Sequence, residues 1–181
     1  MAENVAQVEL GMVLLGRAKN PEAIASAVGM LGESADPRIR QVITHKYAAL
    51  NAEPRRRDSG CLQRTALVRA LRGRATTDEI PLLETALWMH EIIGRFDAAS
   101  ELRAAALVTL NDVDGGLACF HAVRLLSDAH EMSGEPAVTA ARLLTMRAQL
   151  LPLYGLVASV EPGHGVLQVP LRLRRRGIAG G

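Results

Sequence analysis

Two stretches of this sequence decide its fold: residues 62–68 read LQRTALV, and residues 102–108 read LRAAALV. Four of the seven positions are identical when the second stretch is placed 40 residues after the first. At the same offset, His90-Glu91 matches His130-Glu131. In both stretches apolar residues recur at the spacing of one helical face. The sequence therefore predicts helical units that repeat about every 40 residues.

The composition agrees with helices packed closely on helices. Of the 181 residues, 49% are hydrophobic but only 3% are aromatic, and the apolar residues are mainly Ala, Leu and Val. Ala and Leu are strong helix formers, whereas strands favour β-branched and aromatic residues. A chain of this length can bury a core without metal or disulfide cross-links. We therefore expect a single all-α domain.

Helix starts can be read directly along the chain. A capping residue, often followed by a proline in the first helical turn, marks most of them. The predicted starts are Asn20-Pro21, Asp36-Pro37, the capping box of Thr76 and Glu79, Asp97, Asp114 and Glu135-Pro136. Together with the first and fourth apolar stripes, these signals predict about eight helices. The short links between them indicate antiparallel neighbours.

Three of these helix starts also carry a family pattern. Residues 36–40 (DPRIR), 62–67 (LQRTAL) and 102–107 (LRAAAL) place an apolar residue and an Arg before small and apolar residues. In this respect residues 20–150 resemble HEAT-like or armadillo-type repeat proteins. The resemblance implies a short right-handed α-solenoid over residues 1–158. Because residues 36–73 do not share the register of the later pairs, an irregular solenoid and a compact bundle both stay open.

The chain termini and the two cysteines are informative about the cellular compartment. We read no signal peptide at the N-terminus and no apolar run long enough for a membrane span. Cys61 and Cys119 do not form a disulfide framework, which favours a reducing, cytoplasmic setting. Residues 159–181 are basic and rich in Gly, and we expect them to be poorly ordered.

Charge is distributed unevenly along the chain. Residues 55–74 carry seven positive side chains and one negative, whereas residues 75–161 carry five positive and twelve negative. Arginine forks suit phosphates and carboxylates, so this basic stretch is the predicted interaction surface. Its arginines are Arg55, Arg56, Arg57, Arg64, Arg69, Arg72 and Arg74. The alternative interpretation is a solvated face that pairs with the acidic body.

Residues capable of chemistry do not form a recognisable site. His121, Asp128, His130 and Glu131 are metal-capable, but their spacing does not place them on one helical face. We expect such histidines to lie near helix ends and in loops. Cys61 follows the basic stretch, where a thiol pKa could be lowered, although a half-buried structural role is the simpler interpretation. We therefore predict no catalytic residue, no cofactor and no metal.

Three functional hypotheses follow. The first is a non-enzymatic scaffold that binds another protein. The second is a nucleic-acid-binding protein that uses the arginines, because HEAT-like folds include DNA glycosylases with a basic cleft. The scarcity of aromatic residues argues against base stacking. The third is an accessory module, by analogy with HEAT-like lyases that chaperone pigments. We expect no membrane partner.

Overall fold

The computed structural model describes residues 2–126 and 134–159, with side chains described for residues 5–126 and 134–155. These residues form an all-α fold with one small hairpin. The helices are α1 (Ala2–Arg17), α2 (Pro21–Leu31), α3 (Pro37–Asn51), α4 (Pro54–Arg57), α5 (Leu62–Leu71), α6 (Ile80–Leu87), α7 (Ser100–Val113), α8 (Gly115–Leu125), α9 (Ala137–Met146) and α10 (Leu151–Ser159). A 3-10 turn, Thr77–Glu79, leads into α6.

The predicted starts explain most of these helices. The side chain of Asn20 accepts a hydrogen bond from the Ala23 N–H at 2.8 Å, and Asp114 accepts one from the Leu117 N–H at 2.9 Å. The side chain of Asp36 caps α3 by accepting a hydrogen bond from the Arg38 N–H at 2.9 Å. These bonds satisfy amide groups that have no partner within the helix. The capped helices are short, so the chain reverses its direction often.

Neighbouring helices in sequence pack as pairs. The pairs in contact are α1 with α2, α3 with α5, α6 with α7, and α8 with α9. Between pairs, α5 contacts both α2 and α7, and α7 contacts α9. Helix α1 also contacts α3. Helix α7 therefore lies in the middle of the described residues.

The core runs continuously through these pairs. It extends from Leu15 on α1, through Leu67 on α5 and Leu107 on α7, to Leu144 on α9, all fully buried. The small residues at 104–106 are buried on α7, as helix packing on several sides requires. Several positions of the predicted apolar stripes are exposed instead of buried: Val5, Leu62, Trp88, Phe120 and Val123.

One segment departs from the predicted helices. The fifth predicted helix was expected to continue towards Gly94, but α6 ends at Leu87. An antiparallel hairpin follows, with β1 (Ile92–Ile93) pairing with β2 (Phe96–Asp97). Gly94 has φ +63°, which a glycine adopts without steric cost at a tight hairpin turn. The β-branched pair before this glycine favours the strand.

The predicted C-terminal break is also present. Helix α9 ends at Met146 and α10 begins at Leu151, so Pro152 lies in the first turn of a new helix. The predicted basic tail, residues 159–181, lies outside the described residues except for Ser159, the last residue of α10. None of the helices in residues 2–126 and 134–159 is long and apolar enough to cross a membrane.

Candidate interaction surface

The seven arginines of the predicted surface do not share one environment. Arg55, Arg56 and Arg57 lie on the one-turn helix α4. Arg56 and Arg57 form ion pairs with the same carboxylate, Glu53, at 3.0 and 2.9 Å. Arg57 also donates to the Ala49 carbonyl. Two of the three arginines of α4 therefore share one carboxylate, and α4 keeps an excess of positive charge.

The arginines of α5 and its C-terminal turn are divided between the interior and the surface. Arg64 is fully buried and does not belong to any exposed face. Arg69 pairs with Glu101 at 2.6 Å, and Arg72 pairs with Asp112 at 3.3 Å, both on α7. Arg74 donates to the carbonyls of Gly32 and Ala70. This arrangement agrees with pairing to the acidic body of the chain.

Arg64 belongs to a buried polar cluster at the start of α5. Its Nε donates to Asp58 at 3.0 Å, and its Nη2 donates to Glu91 at 2.9 Å. Asp58 also accepts the backbone N–H groups of Gln63 and Arg64. Burial acts to raise the pKa of Glu91, but hydrogen bonds from Gly60, Cys61 and Arg64 outweigh it and lower that pKa. Glu91 is thus held as an anion, and both carboxylates bind the same guanidinium.

A second buried cluster lies at the start of α7. Asp97 accepts from Arg103 and from the backbone N–H groups of Glu91 and Ala99. Its second oxygen is 2.9 Å from Nδ1 of His90. Burial acts to raise the pKa of Asp97, but these hydrogen bonds lower it to about 2. Glu91 links the clusters, by its side chain to the first and by its backbone to the second.

Cys61 lies inside the first cluster, and the thiol pKa is not lowered there, in agreement with the structural interpretation favoured from the sequence. The thiol is fully buried and donates to Glu91 at 3.3 Å. Burial raises its pKa to about 12, and the neighbouring carboxylates add to the effect while Arg64 opposes it. The residue has φ +59°, so it forms the turn into α5. Cys61 therefore has a structural role. Cys119 is half-buried against the core.

The metal-capable set is described only in part. Asp128, His130 and Glu131 lie outside the described residues. His121 is buried on α8, not at a helix end, and its Nε2 is 2.9 Å from Glu84 on α6. Within residues 2–126 and 134–159, no three His, Cys, Asp or Glu side chains are grouped to hold a metal ion.

The aromatic side chains form the most distinctive exposed feature. The chain has one Trp, two Tyr and two Phe. Only Tyr47 is buried, whereas Trp88, Phe96, Phe120 and Tyr154 are exposed at 39, 68, 56 and 67%. In a chain so poor in aromatic residues, a use of them in the core would be expected if stability alone governed their placement.

Three of the exposed side chains form one group. The guanidinium of Arg124 lies 4.0 Å from the ring centroid of Trp88 and 5.8 Å from that of Phe120. Phe120 and Arg124 share a face of α8, and Trp88 reaches them from the end of α6. His121 contacts both rings from beneath the surface. We call Trp88, Phe120 and Arg124 the aromatic patch.

The hairpin adds further exposed apolar area in the same part of the chain. It begins four residues after Trp88, and Ile93 and Phe96 are a directly opposed cross-strand pair. Ile92, Ile93 and Phe96 are all exposed. The base of the hairpin is held by the buried Asp97, which fixes its position on α7. An anchored apolar tip of this kind presents the same surface to every partner.

The aromatic patch was not predicted from the sequence, because Trp88 and Phe120 were assigned to the apolar stripes of two separate helices. A signal was present in the sequence, since Phe120 and Arg124 have the i, i+4 spacing of helical neighbours. Nothing in the sequence places Trp88 beside them, because that contact depends on how α6 packs near α8.

Comparison of the chain with protein-family models, curated proteins and solved structures finds no match in any of the three. The structure shows an all-α protein. Because no comparison matches, the proposal for its function rests on the surface of this chain alone.

Proposed function

We propose that this chain is a HEAT-like repeat protein that acts as a non-enzymatic module for binding another protein. The order of helix contacts supports this architecture. Four helix pairs follow one another along the chain, and their second helices, α2, α5, α7 and α9, contact in sequence. Stacking of this kind buries faces that a single pair leaves exposed.

A repeated ion pair supports the same architecture. Asp58 and Arg64 are six residues apart, and Asp97 and Arg103 lie 39 residues further along with the same separation. Both pairs are buried at the start of a second helix. The buried positions of α5 all correspond to buried positions of α7 at an offset of 39 residues. The offset of 40 found in the sequence is therefore one residue longer than the offset that aligns buried positions.

The buried polar groups favour a structural rather than a catalytic role. The carboxylates of Asp58, Glu91 and Asp97 are each bound by a buried arginine or by backbone N–H groups. The thiol of Cys61 is protonated at neutral pH. These groups stabilise the starts of α5 and α7.

The aromatic patch carries the proposed function. Trp, Tyr and Arg are the residues enriched at binding hot spots, and here Trp88 and Arg124 are stacked on the surface together with Phe120. The stacking holds the side chains in place before a partner arrives, which lowers the entropic cost of binding. A scaffold of packed helices keeps the patch at a constant geometry.

The test compares partner recovery by the tagged full chain and by two double variants. Trp88→Ser with Phe120→Ser removes the patch, and Met146→Ser with Tyr154→Ser removes exposed apolar area elsewhere. We expect at least one protein to be recovered by the wild type and the control variant, and roughly tenfold less by the patch variant. Thermal unfolding measured by circular dichroism checks that all three proteins are folded.

Equal recovery by the patch variant and the wild type would contradict the proposal, as would the absence of any enriched protein. Phe120→Ser alone is the safer variant, because Phe120 is more exposed than Trp88 and its loss leaves Trp88 in place.

Nucleic-acid binding is the alternative, and the accessory lyase role has less support. Arg64 is buried and Arg69 and Arg72 are paired, so the arginines offer few free contacts for phosphate. The salt dependence of binding distinguishes the two functions. A DNA affinity that falls steeply between about 50 and 200 mM salt, with a smaller slope in Arg55→Ala with Arg56→Ala, would favour the alternative.

A further inference from the structure

We propose that the groove between α1 and α3 binds an acidic helical segment of a partner protein. The groove has a volume of about 1040 Å³ and runs between two helices that pack against each other. Its walls contain the apolar side chains Met12, Val13, Val42 and Leu50. Met12 and Leu50 are buried in the core, so the apolar surface open to a ligand belongs to Val13, which is 48% exposed, and to the half-buried Val42. A groove between two helices can accept the apolar side of a third.

The charge of the groove selects the partner. Basic side chains line it on both helices and at α4: Arg17, Arg38, His45, Lys46 and Arg57. The only acidic side chain in its lining is Glu9. Arg38 already pairs with Glu9 at 2.7 Å and with Asp36 at 2.6 Å, and Arg57 pairs with Glu53, so the excess comes from Arg17, His45 and Lys46. The remaining excess of positive charge complements carboxylates.

Part of this positive charge has no carboxylate to balance it. The Lys46 ammonium group donates to the carbonyls of Ala18 and Gly16, at the end of α1. Arg17 and His45 are exposed, and no hydrogen bond or ion pair is recorded for either among the residues whose side chains are described. These three side chains come from α1 and α3, so they border the groove from both sides. A bound carboxylate would gain charge-assisted hydrogen bonds there.

The lining favours a peptide over a nucleic acid. No Phe, Tyr or Trp side chain lines the groove, so it offers no stacking platform for bases. Its apolar side chains instead match the apolar stripe of an amphipathic helix. The occupant we assign is therefore a helix with an apolar stripe flanked by Glu or Asp.

This inference does not depend on the aromatic patch. The groove belongs to the first helix pairs, and the patch belongs to α6 and α8. A protein that lacks either activity can still show the other, so failure of one proposal is distinguishable from failure of the other.

The experiment measures binding of fluorescent model peptides to the full chain by anisotropy. The probe is an 18-residue amphipathic peptide, about five turns long, with Leu at i, i+3, i+4 spacing and Glu elsewhere. Two matched peptides replace every Glu by Lys or every Leu by Ser, and a single-stranded DNA oligonucleotide serves as the competing class. The groove variant is Arg17→Glu with His45→Glu. The control variant is Arg142→Glu with Gln149→Glu, which changes the net charge equally at exposed positions elsewhere.

We expect the acidic peptide to bind the wild type and the control variant within a factor of about two, and the groove variant at least tenfold more weakly. The Lys peptide and the Ser peptide are expected to bind at least fivefold more weakly than the acidic peptide. Equal affinity for the groove variant, equal affinity for the Lys peptide, or no binding of the acidic peptide at about 1 mM would overturn the inference. Tighter binding of the DNA, lost in the same variant, would assign the groove to nucleic acid instead.

Discussion

At the scale of single residues, the main feature of this protein is a pair of buried arginines. Arg64 and Arg103 are both fully buried, and each is bound by an aspartate six residues before it. Burying such a pair costs desolvation energy, so its main effect appears when one partner is removed. The remaining charge is then left in a low-dielectric environment. These pairs therefore make the starts of α5 and α7 sensitive to single substitutions.

Asp97→Asn tests this sensitivity at neutral pH. We expect the free energy of unfolding to fall by about 3 kcal/mol, because Arg103 loses its buried counter-charge. Urea unfolding followed by circular dichroism provides the measurement. Asp112→Asn is the matched control, since it breaks the exposed pair with Arg72 and should cost less than about 1 kcal/mol. A similar loss for both variants would contradict the role of burial.

The same aspartate predicts a dependence on acid. Its folded pKa of about 2 lies below the unfolded value, so its contribution to stability is present above about pH 4. The contribution disappears as the pH falls through the folded pKa. We expect the difference between wild type and Asp97→Asn to shrink by about 2 kcal/mol between pH 5 and 2. A difference that stays constant over this range would show that Asp97 has an ordinary pKa.

Cys61 provides a second prediction at this scale. Its buried thiol, with a pKa raised to about 12, should react with iodoacetamide at pH 7.5 only after unfolding. Cys119 is half-buried and should be alkylated first. Mass spectrometry of the digested protein separates the two sites, and Cys119→Ser provides the control for Cys61. Rapid labelling of Cys61 in the folded protein would contradict this result.

At the scale of secondary-structure elements, the main feature is the capping of helix starts. The caps at Asn20, Asp36 and Asp114 and the capping box at Thr76 were all predicted from the sequence, and all are confirmed. Capping is predictable because its partners lie within three residues of each other. The capping box has an additional function, since Arg40 on α3 donates to both Thr76 and Glu79. It therefore links the start of α6 to the preceding helix pair.

Thr76→Ala measures the value of this cap. We expect the free energy of unfolding to fall by about 1 kcal/mol, since the variant loses the capping oxygen and one acceptor for Arg40. Thr77→Ala is the matched control, because Thr77 is the next residue and its exposed side chain has no recorded bond among the described residues. Chemical denaturation of both variants gives the comparison. An equal effect of the two substitutions would refute the contribution of the cap.

The position of α7 is the main property at the scale of the whole molecule. It packs against α5, α6, α8 and α9, whereas α1 packs against α2 and α3. Opening of α7 therefore disrupts most of the core, and opening of α1 disrupts one end. Stability should be distributed unevenly along the chain for this reason.

Hydrogen exchange tests this distribution. We expect the amides of residues 104–110 to exchange only through global unfolding, and those of residues 6–16 to exchange at least roughly tenfold faster. Exchange measured by mass spectrometry at increasing urea concentrations distinguishes local from global opening. Equal protection of α1 and α7 would mean that the helix pairs unfold as one unit.

The sequence by itself determined most of the helices and most of their starts. Apolar spacing, capping residues and first-turn prolines act over three or four residues, so they can be read without knowing the fold. The hairpin after α6 was missed although Gly94 lies between apolar and aromatic residues, because α6 was expected to continue. The burial of Arg64 and the ion pairs of Arg69 and Arg72 were not readable either, since their partners on or near α7 lie 27 to 40 residues away.

Only the tertiary structure decided which side chains meet. It brought Trp88 to Phe120 and Arg124, joined two buried clusters through Glu91, and opened the groove between α1 and α3. The physical reason is that these contacts depend on packing angles between helices, which many side chains set together. Local capping and periodicity determine the elements, and long-range packing determines the surfaces that a partner can use.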